Sequence, residues 1–297
     1  SLEPCDSPSK GVDMNHDNRQ SLNCTQRIQR IGISLWVYLI LQVAAGFLTS
    51  LPLLFGWHVN TTVFMAAAVF CGLPALALGM VLTGTPLTGL STPGHRIMPT
   101  LLRAVPMTFF WSIGFSLLWA LLGTSSQELP PVFSMADKIG MFFIIGVIGP
   151  VIEELYFRGF AYNCLKRYSP VFAAIISSLA FSFLHMNFTQ GIPVFFMALV
   201  FCWAYEQTGS LWVPILLHVI NNSMALLVGW FPLLIILLLV LAVLGLVVTI
   251  LMVPAIRQAW HQLMEKRALF RCVWKAPLFW LVGVVFVGFS LYMVVAR

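Results

Sequence analysis

Charged side chains are scarce in this chain: they make up 9% of its 297 residues, while 60% of the residues are hydrophobic. Soluble domains carry roughly 25% charged residues, so the composition excludes a soluble globular fold. Glycine-rich phosphate loops are also absent, which argues against a nucleotide or flavin site. The composition therefore indicates a membrane protein.

Paired cysteines and alternating strands are missing as well. The six cysteines stand singly, and no Cys-x-x-Cys pair occurs, so the sequence indicates neither a disulfide framework nor a thiolate metal site. Ten-residue strands of alternating hydrophobicity are not found, which excludes a transmembrane β-barrel. Only helices then remain to satisfy the backbone in lipid.

Long apolar segments fill most of the chain. A membrane-spanning helix needs about 20 apolar residues, and the segments near this length are 31–54, 62–83, 101–123, 139–165, 170–187, 190–206, 211–229, 232–255 and 276–296. The weakest division is the break at 229–232. The sequence thus predicts an all-α polytopic transmembrane helical bundle of about eight to nine spans.

The predicted organisation is a polar N-terminal arm at 1–30 and a multi-span membrane domain at 31–297, with the candidate catalytic core at 139–229. The first apolar segment is too long for the hydrophobic region of a signal peptide, so we expect an uncleaved anchor. The Ser- and Pro-rich stretch 125–132 predicts a loop.

The net charge of +6 is explained by topology rather than by a nucleic-acid partner. With nine spans and a cytoplasmic N-terminus, every Lys and Arg except Lys138, Arg158 and Arg297 falls on an inside segment or an inner span end. This bias follows the positive-inside rule. We expect a multi-pass protein of the cell membrane, in contact with the lipid bilayer and with no nucleic-acid partner.

Two adjacent glutamates, Glu153 and Glu154, interrupt the fourth apolar segment. A carboxylate in the hydrocarbon region costs about 2.5–3.5 kcal/mol on insertion scales, so both need a physical reason. Residues four apart share a helix face, so Arg158 can pair with Glu154 while Glu153 points elsewhere. Pro150, one turn earlier, removes a helix hydrogen bond to Gly146. One glutamate is then neutralised, and the other is free to face a cavity.

Further polar side chains lie in the next apolar segments: His185 late in the fifth, and His218 and Asn222 one turn apart in the seventh. Asn221 lies near the same face and remains an alternative. Each of these alone is more typical of a hydrogen bond between helices. Together with the glutamates, on three spans, they predict one buried polar site.

The depths of the two histidines in the membrane differ along their segments. His185 lies about 22 Å from the inner surface if its segment starts at Pro170, whereas His218, counted from Leu211, lies about 11 Å deep. Both line one cavity only if the fifth helix tilts strongly or projects beyond that surface. We expect such a projection and a site nearer the cytoplasmic leaflet.

These side chains are the parts needed for direct hydrolysis of an amide. A glutamate can act as general base toward water, a histidine can share the proton, and His and Asn can donate to an oxyanion. No Gly-x-Ser-x-Gly or His-Glu-x-x-His motif and no pair of intramembrane aspartates occurs, which disfavours serine, conventional zinc and aspartyl mechanisms. Imidazole and carboxylate also suit zinc, so Glu153, His185 and His218 are candidate metal ligands.

The ordered patterns Glu153-Glu154-x-x-x-Arg158, Phe181-x-x-x-His185 and His218-x-x-x-Asn222 resemble the three motifs of the CPBP family of intramembrane proteases. This family includes the type II CAAX prenyl endopeptidases and the bacteriocin-immunity (Abi) proteins. The resemblance covers residues 153–222.

The resemblance implies that Glu153 activates water, that His185 is its partner, and that His218 and Asn222 stabilise the oxyanion. The second glutamate and the arginine have supporting roles. It further implies an intramembrane endopeptidase whose partner is a peptide or membrane-protein substrate, either lipidated or a small peptide. The family is often called a metalloprotease family, and a metal-independent glutamate mechanism is also argued for it, so a divalent metal such as zinc stays open.

Two other classes of function use the same residues. In a proton-coupled transporter, Glu153, His185 and His218 would relay protons, although the paired broken helices of inverted repeats are not found. In a non-catalytic immunity or scaffold protein, the polar core would serve packing alone.

Overall fold

The computed structural model describes residues 22–57, 60–92, 94–122 and 133–295. The regular elements within these ranges are all helical, with no strand. Eight of the helices are long and apolar enough to cross a membrane: Cys24–Phe55, Thr61–Thr83, Ile97–Leu121, Met135–Lys166, Phe188–Thr208, Trp212–Trp230, Leu234–Leu251 and Pro277–Val295. The prediction of an all-α polytopic bundle is confirmed, and the chain is a multi-pass membrane protein.

We number the helices in chain order. They are α1 Cys24–Ser50, α2 Thr61–Phe70, α3 Gly72–Thr83, α4 Ile97–Leu121, α5 Met135–Lys166, α6 Pro170–Phe183, α7 Phe188–Thr208, α8 Trp212–Trp230, α9 Leu234–Leu251, α10 Val253–Glu265, α11 Phe270–Trp274 and α12 Pro277–Val295. Helix α5 is a composite, because π-helical stretches at Phe142–Ile148 and Leu155–Tyr162 flank its central α-helical turns at Gly149–Glu154.

The first helix begins at Cys24, inside the predicted polar arm. A capping box starts it there: the Asn23 side chain accepts from the Gln26 amide, and the Gln26 side chain accepts from the Asn23 amide, both at 3.0 Å. Arg27 is buried and donates to the Thr85 hydroxyl at 3.1 Å, so the end of the arm is packed into the bundle. The arm up to residue 21 and the predicted loop at 125–132 lie outside the described residues.

The predicted fifth span is a shorter element than its composition suggests. Helix α6 has 14 residues, fewer than the about 20 that a span needs. It starts at the Ser169 cap, and the chain turns after Phe183 into the Asn187 cap of α7. Helices α6 and α7 therefore form a hairpin whose turn carries His185.

Several segments that connect the helices lie at one end of the bundle, where hydrogen bonds join them. We call this end the basic end. The contacts are Lys266 to the Tyr168 carbonyl, the Tyr168 hydroxyl to the Leu22 carbonyl, Leu211 to the Gly89 carbonyl, and His95 to the Thr208 carbonyl. The start of α1, the α3–α4 connection, the α5–α6 and α7–α8 turns and the segment around α11 thus lie together. These are the segments in which the sequence concentrates Lys and Arg.

The centre of the bundle is the second half of α5, whose aromatic side chains are fully buried between α1, α3 and α6. Gly79 of α3 permits this packing. A Cβ at Gly79 would lie 2.5 Å from Cε1 of Phe160 and 3.2 Å from Oγ of Ser34. Close approach at small residues is how helices associate in lipid, where there is little hydrophobic drive between them.

We predict that Gly79→Ala lowers the free energy of unfolding by about 1–3 kcal/mol relative to Gly229→Ala, because only the first variant overpacks a core contact. A Cβ at Gly229 meets no atom within 4 Å, and both variants receive the same gain in helix propensity. Thermal unfolding of both in one detergent measures the difference. Equal stability of the two variants would contradict the close packing of α3 against α5.

Candidate active site

The site is built around a fully buried ion pair within α5. Arg158 Nη1 lies 2.8 Å from Oε1 of Glu154, and neither side chain is exposed. Arg158 Nη2 also donates to the Ala198 carbonyl of α7 at 3.1 Å, and the guanidinium lies 5.1 and 5.3 Å from the ring centres of Phe181 and Phe201. The pairing expected from the four-residue spacing is present, and cation–π contacts add to it.

His218 of α8 lies between the two glutamates. Its Nδ1 is 2.9 Å from Oε1 of Glu154, and its Nε2 is 3.5 Å from Oε2 of Glu153. The ring is nearly buried and packs against Phe181 and Phe201, with ring centres 5.5 and 5.4 Å away. An ionised carboxylate only accepts hydrogen bonds, so the short contact to Glu154 assigns the proton to Nδ1. Nε2 faces Oε2 of Glu153, and a hydrogen bond between these two atoms needs a proton on one of them.

The two adjacent glutamates differ in access. The Glu153 side chain keeps 26% of its surface exposed, whereas Glu154 is sealed. Glu154 is neutralised by Arg158 and fixed by His218. Among the described residues, the polar contact of Glu153 is with His218, and part of its side chain remains exposed.

His185 lies on the turn after α6. Its Nδ1 is 3.1 Å from the Phe181 carbonyl, and its ring centre is 5.1 Å from that of Phe181. His218 packs on the same phenyl ring, so the two imidazoles share one site despite the unequal depths expected from the sequence. Among the described residues, no hydrogen bond or ion pair joins His185 to Glu153.

Pro150 has no N–H, so the turn before it lacks one helical donor, which would bond Gly146 in an α-helix or Ile145 in a π-helix. Side chains of α8 take both carbonyls. Asn222 Nδ2 donates to the Ile145 carbonyl at 3.2 Å, and Ser223 Oγ donates to the Gly146 carbonyl at 3.3 Å. The loss of the bond to Gly146 was expected from the sequence, whereas the donors that replace it were not.

Asn221 is the alternative to Asn222. Its side-chain amide donates a hydrogen bond to Oδ1 of Asn222 at 3.2 Å. Asn222 therefore keeps one amide hydrogen not used on Ile145. The contributions that the sequence did not identify are the hydroxyl of Ser223, the carbonyl of Ala198 and the ring of Phe201. Of these, only the Ser223 hydroxyl had a signal in the sequence, because the missing N–H of Pro150 requires a donor from another helix.

The candidate metal ligands do not fit a metal site in this arrangement. Within the described ranges, no three His, Cys, Asp or Glu side chains are placed to hold an ion. Both nitrogens of His218 face carboxylates, and Nδ1 of His185 faces a carbonyl. The five cysteines that the structure describes are free thiols, and Cys5 lies outside those residues.

Comparison with known proteins finds similarity in the same region of the chain. Residues 135–224 match the model of the Rce1-like type II CAAX prenyl endopeptidases. The chain is 31% identical over 143 residues to the "Membrane-embedded CAAX protease MroQ" of Staphylococcus aureus, which covers 44% of this chain and 58% of that protein. No solved structure gives a significant match.

Two further relatives are more distant in identity. The "Putative membrane peptidase YdiL" of Bacillus subtilis is 25% identical over 38% of this chain and 56% of its own length. The "UPF0177 protein YxdF" of Lactococcus lactis is 25% identical over 37% of this chain and 66% of its own length. The chain thus spans between 56% and 66% of the curated relatives it matches.

The matched region contains every residue of the site, from the start of α5 to the middle of α8. The similarity to the Rce1-like type II CAAX prenyl endopeptidases therefore lies in the part of the chain that holds the candidate site.

Proposed function

We propose that the protein is an intramembrane endopeptidase, in which Glu153 activates a water molecule to hydrolyse a peptide bond of a membrane-associated substrate. The observation that carries this proposal is the difference between the two glutamates: the Glu153 side chain is partly exposed, while Glu154 is buried and paired with Arg158. The proposed substrate is a membrane-associated peptide or membrane-protein segment, either lipidated or a small peptide. The peptidase names of two relatives support a protease over a transporter.

In the first step, the Glu153 carboxylate takes a proton from water while the water oxygen forms a bond to the peptide carbonyl carbon. His218 limits where the carboxylate can point, since its Nε2 faces Oε2 of Glu153. If Nδ1 of His185 donates to the Phe181 carbonyl, its Nε2 is an acceptor for the second hydrogen of the water. This gives His185 the role of partner to Glu153.

In the second step, the tetrahedral intermediate collapses, the C–N bond breaks, and protonated Glu153 returns its proton to the leaving amine. The oxyanion needs donors in a dry site. The amide hydrogen of Asn222 that is not used on Ile145 can supply one. The resemblance assigns His218 to the oxyanion as well, whereas its contacts with both glutamates favour control of the Glu153 proton.

We also propose that the basic end, with the N-terminal end of α1, lies in the cytoplasm, and that the site is nearer to this leaflet. In a cysteine-free background, Arg267→Cys should react with a membrane-impermeant maleimide only after cells are opened. Leu233→Cys, on the exposed α8–α9 turn at the other end of the bundle, should react in intact cells. The reverse pattern would overturn the orientation.

The first prediction for catalysis concerns the base. Glu153→Gln should abolish cleavage while the protein still folds, because the amide cannot accept the proton of water. The matched control is Glu206→Gln, a glutamate of similar exposure at 28% whose partner is Lys166. Peptide termini in membranes from cells producing each variant at equal levels measure the result. Termini that appear equally with wild type and Glu153→Gln would refute Glu153 as the base.

The second prediction separates two roles of Asn222. If its free amide hydrogen stabilises the oxyanion, Asn222→Ala lowers kcat by about 100-fold, far more than Ser223→Ala. Both variants uncap one carbonyl beside Pro150, so a purely structural role predicts similar losses of stability and similar kcat values. The two results are distinguished by measuring kcat of each purified variant with a peptide that the wild type cleaves, and by recording a melting curve for each variant.

A further inference from the structure

The turn that carries His185 contains a strained residue. Met186, which follows it, has a φ of 51°, in the left-handed region that residues with a Cβ rarely adopt. Glycine is the usual residue at such a position, because it has no Cβ to clash. Conformations of this kind persist only where neighbouring contacts hold them, and they cluster at functional sites. The contacts that hold this turn therefore bear on where His185 lies.

Asn187 supplies these contacts through both ends of its side-chain amide. Its Oδ1 accepts from the Gln190 N–H and from the Thr189 hydroxyl, both at 2.8 Å, and so caps α7. Its Nδ2 donates to the His185 carbonyl at 2.9 Å and to Oε1 of Gln190 at 3.1 Å. An amide accepts two hydrogen bonds and donates two, so the full capacity of this side chain is used.

The orientation of this amide follows from backbone groups whose roles are unambiguous. The Gln190 N–H only donates and the His185 carbonyl only accepts, so Oδ1 faces the first and Nδ2 faces the second. Asp caps helices as well as Asn does, but an ionised Asp has no hydrogen to donate to a carbonyl. The cap alone would allow either residue, whereas the bond to His185 requires the amide of Asn.

The other hydrogen bonds that the structure describes for His185 come from α6. The His185 N–H donates to the Ser182 carbonyl at 3.2 Å, and its Nδ1 lies 3.1 Å from the Phe181 carbonyl. Asn187 is thus the contact that joins the backbone of His185 to α7. Since His185 and His218 pack on the same Phe181 ring, a change in this turn would move one imidazole relative to the other.

We propose that Asn187 is a positioning residue of this active site, whose side chain fixes the left-handed turn at Met186 and thereby the position of His185. This inference rests on the proposed function, in which His185 is the partner of the base. Asn187 also starts α7, the helix whose Ala198 carbonyl accepts from Arg158. The turn and the buried ion pair are thus both attached to α7.

Asn187→Asp tests the proposal because it keeps the shape and the capping oxygen and removes the donor to the His185 carbonyl. We expect kcat to fall about tenfold with KM unchanged, the effect of one lost hydrogen bond on the transition state. The matched control is Asn60→Asp, at the cap of α2, where the side chain accepts from the Thr62 N–H at 2.7 Å. It adds the same charge and should keep wild-type kcat. Equal kcat values of the two variants would overturn the proposal.

Asn187→Ser separates the lost donor from the added charge. It keeps a neutral capping oxygen and lacks the amide hydrogens, so kcat should fall as it does in Asn187→Asp. A loss confined to Asn187→Asp would be an effect of charge and would overturn the proposal.

A second measurement does not depend on proteolysis. In protein labelled on its histidine rings, the NMR signal of His185 is identified by its absence from His185→Ala. It should shift in Asn187→Ser and stay in place in Asn60→Asp, and an unshifted signal in Asn187→Ser would overturn the proposal. If the signal shifts but Glu153→Gln still cleaves, the proposed function fails and the contact of Asn187 with His185 stands. If Glu153→Gln abolishes cleavage and Asn187→Ser keeps wild-type kcat, the Asn187 proposal alone fails.

Discussion

The arrangement of three helices depends on the buried pair of Glu154 and Arg158. An unpaired charge at this depth is too costly to keep, and the pair forms within α5 because its members are four residues apart. The same two side chains reach outward: Arg158 donates to the Ala198 carbonyl of α7, and Oε1 of Glu154 faces Nδ1 of His218 of α8. Since Nε of Arg158 and Oε2 of Glu154 are buried without a partner among the described residues, the pair is not optimised for stability. This is consistent with its use to hold a site.

Two chemically identical side chains at adjacent positions can have opposite tasks because a helix turns about 100° per residue. Glu154 is buried within the bundle, where it is paired with Arg158, and Glu153 keeps part of its side chain exposed. His218 contacts both, so a change in the protonation of Glu153 is felt at the sealed pair. The proposed base is thereby linked through His218 to the buried charge pair.

The sequence was sufficient wherever the determinant is local. The Glu154–Arg158 pair and the helical class follow from spacing and composition. The shortness of α6 does not, because no Gly or Pro between residues 171 and 190 marks the turn that follows Phe183. The two contacts of His218 also required the structure, since they depend on how α8 is rotated toward α5. The start of α1 at Cys24 is marked in the sequence by an Asn23–Gln26 capping pattern. The prediction assigned this segment to the polar arm because of its charged residues.

The irregular backbone of α5 connects these observations. In lipid every backbone carbonyl needs a donor, and Pro150 withholds one from the turn that precedes the glutamates. Asn222 and Ser223 supply donors to Ile145 and Gly146, and one turn earlier on α8, His218 meets the carboxylates of Glu153 and Glu154. Helix α8 is thus attached to α5 at two levels, which fixes both its rotation and its height. The defect that Pro150 introduces therefore sets the position of His218 relative to Glu153, on which the proposed proton transfer depends.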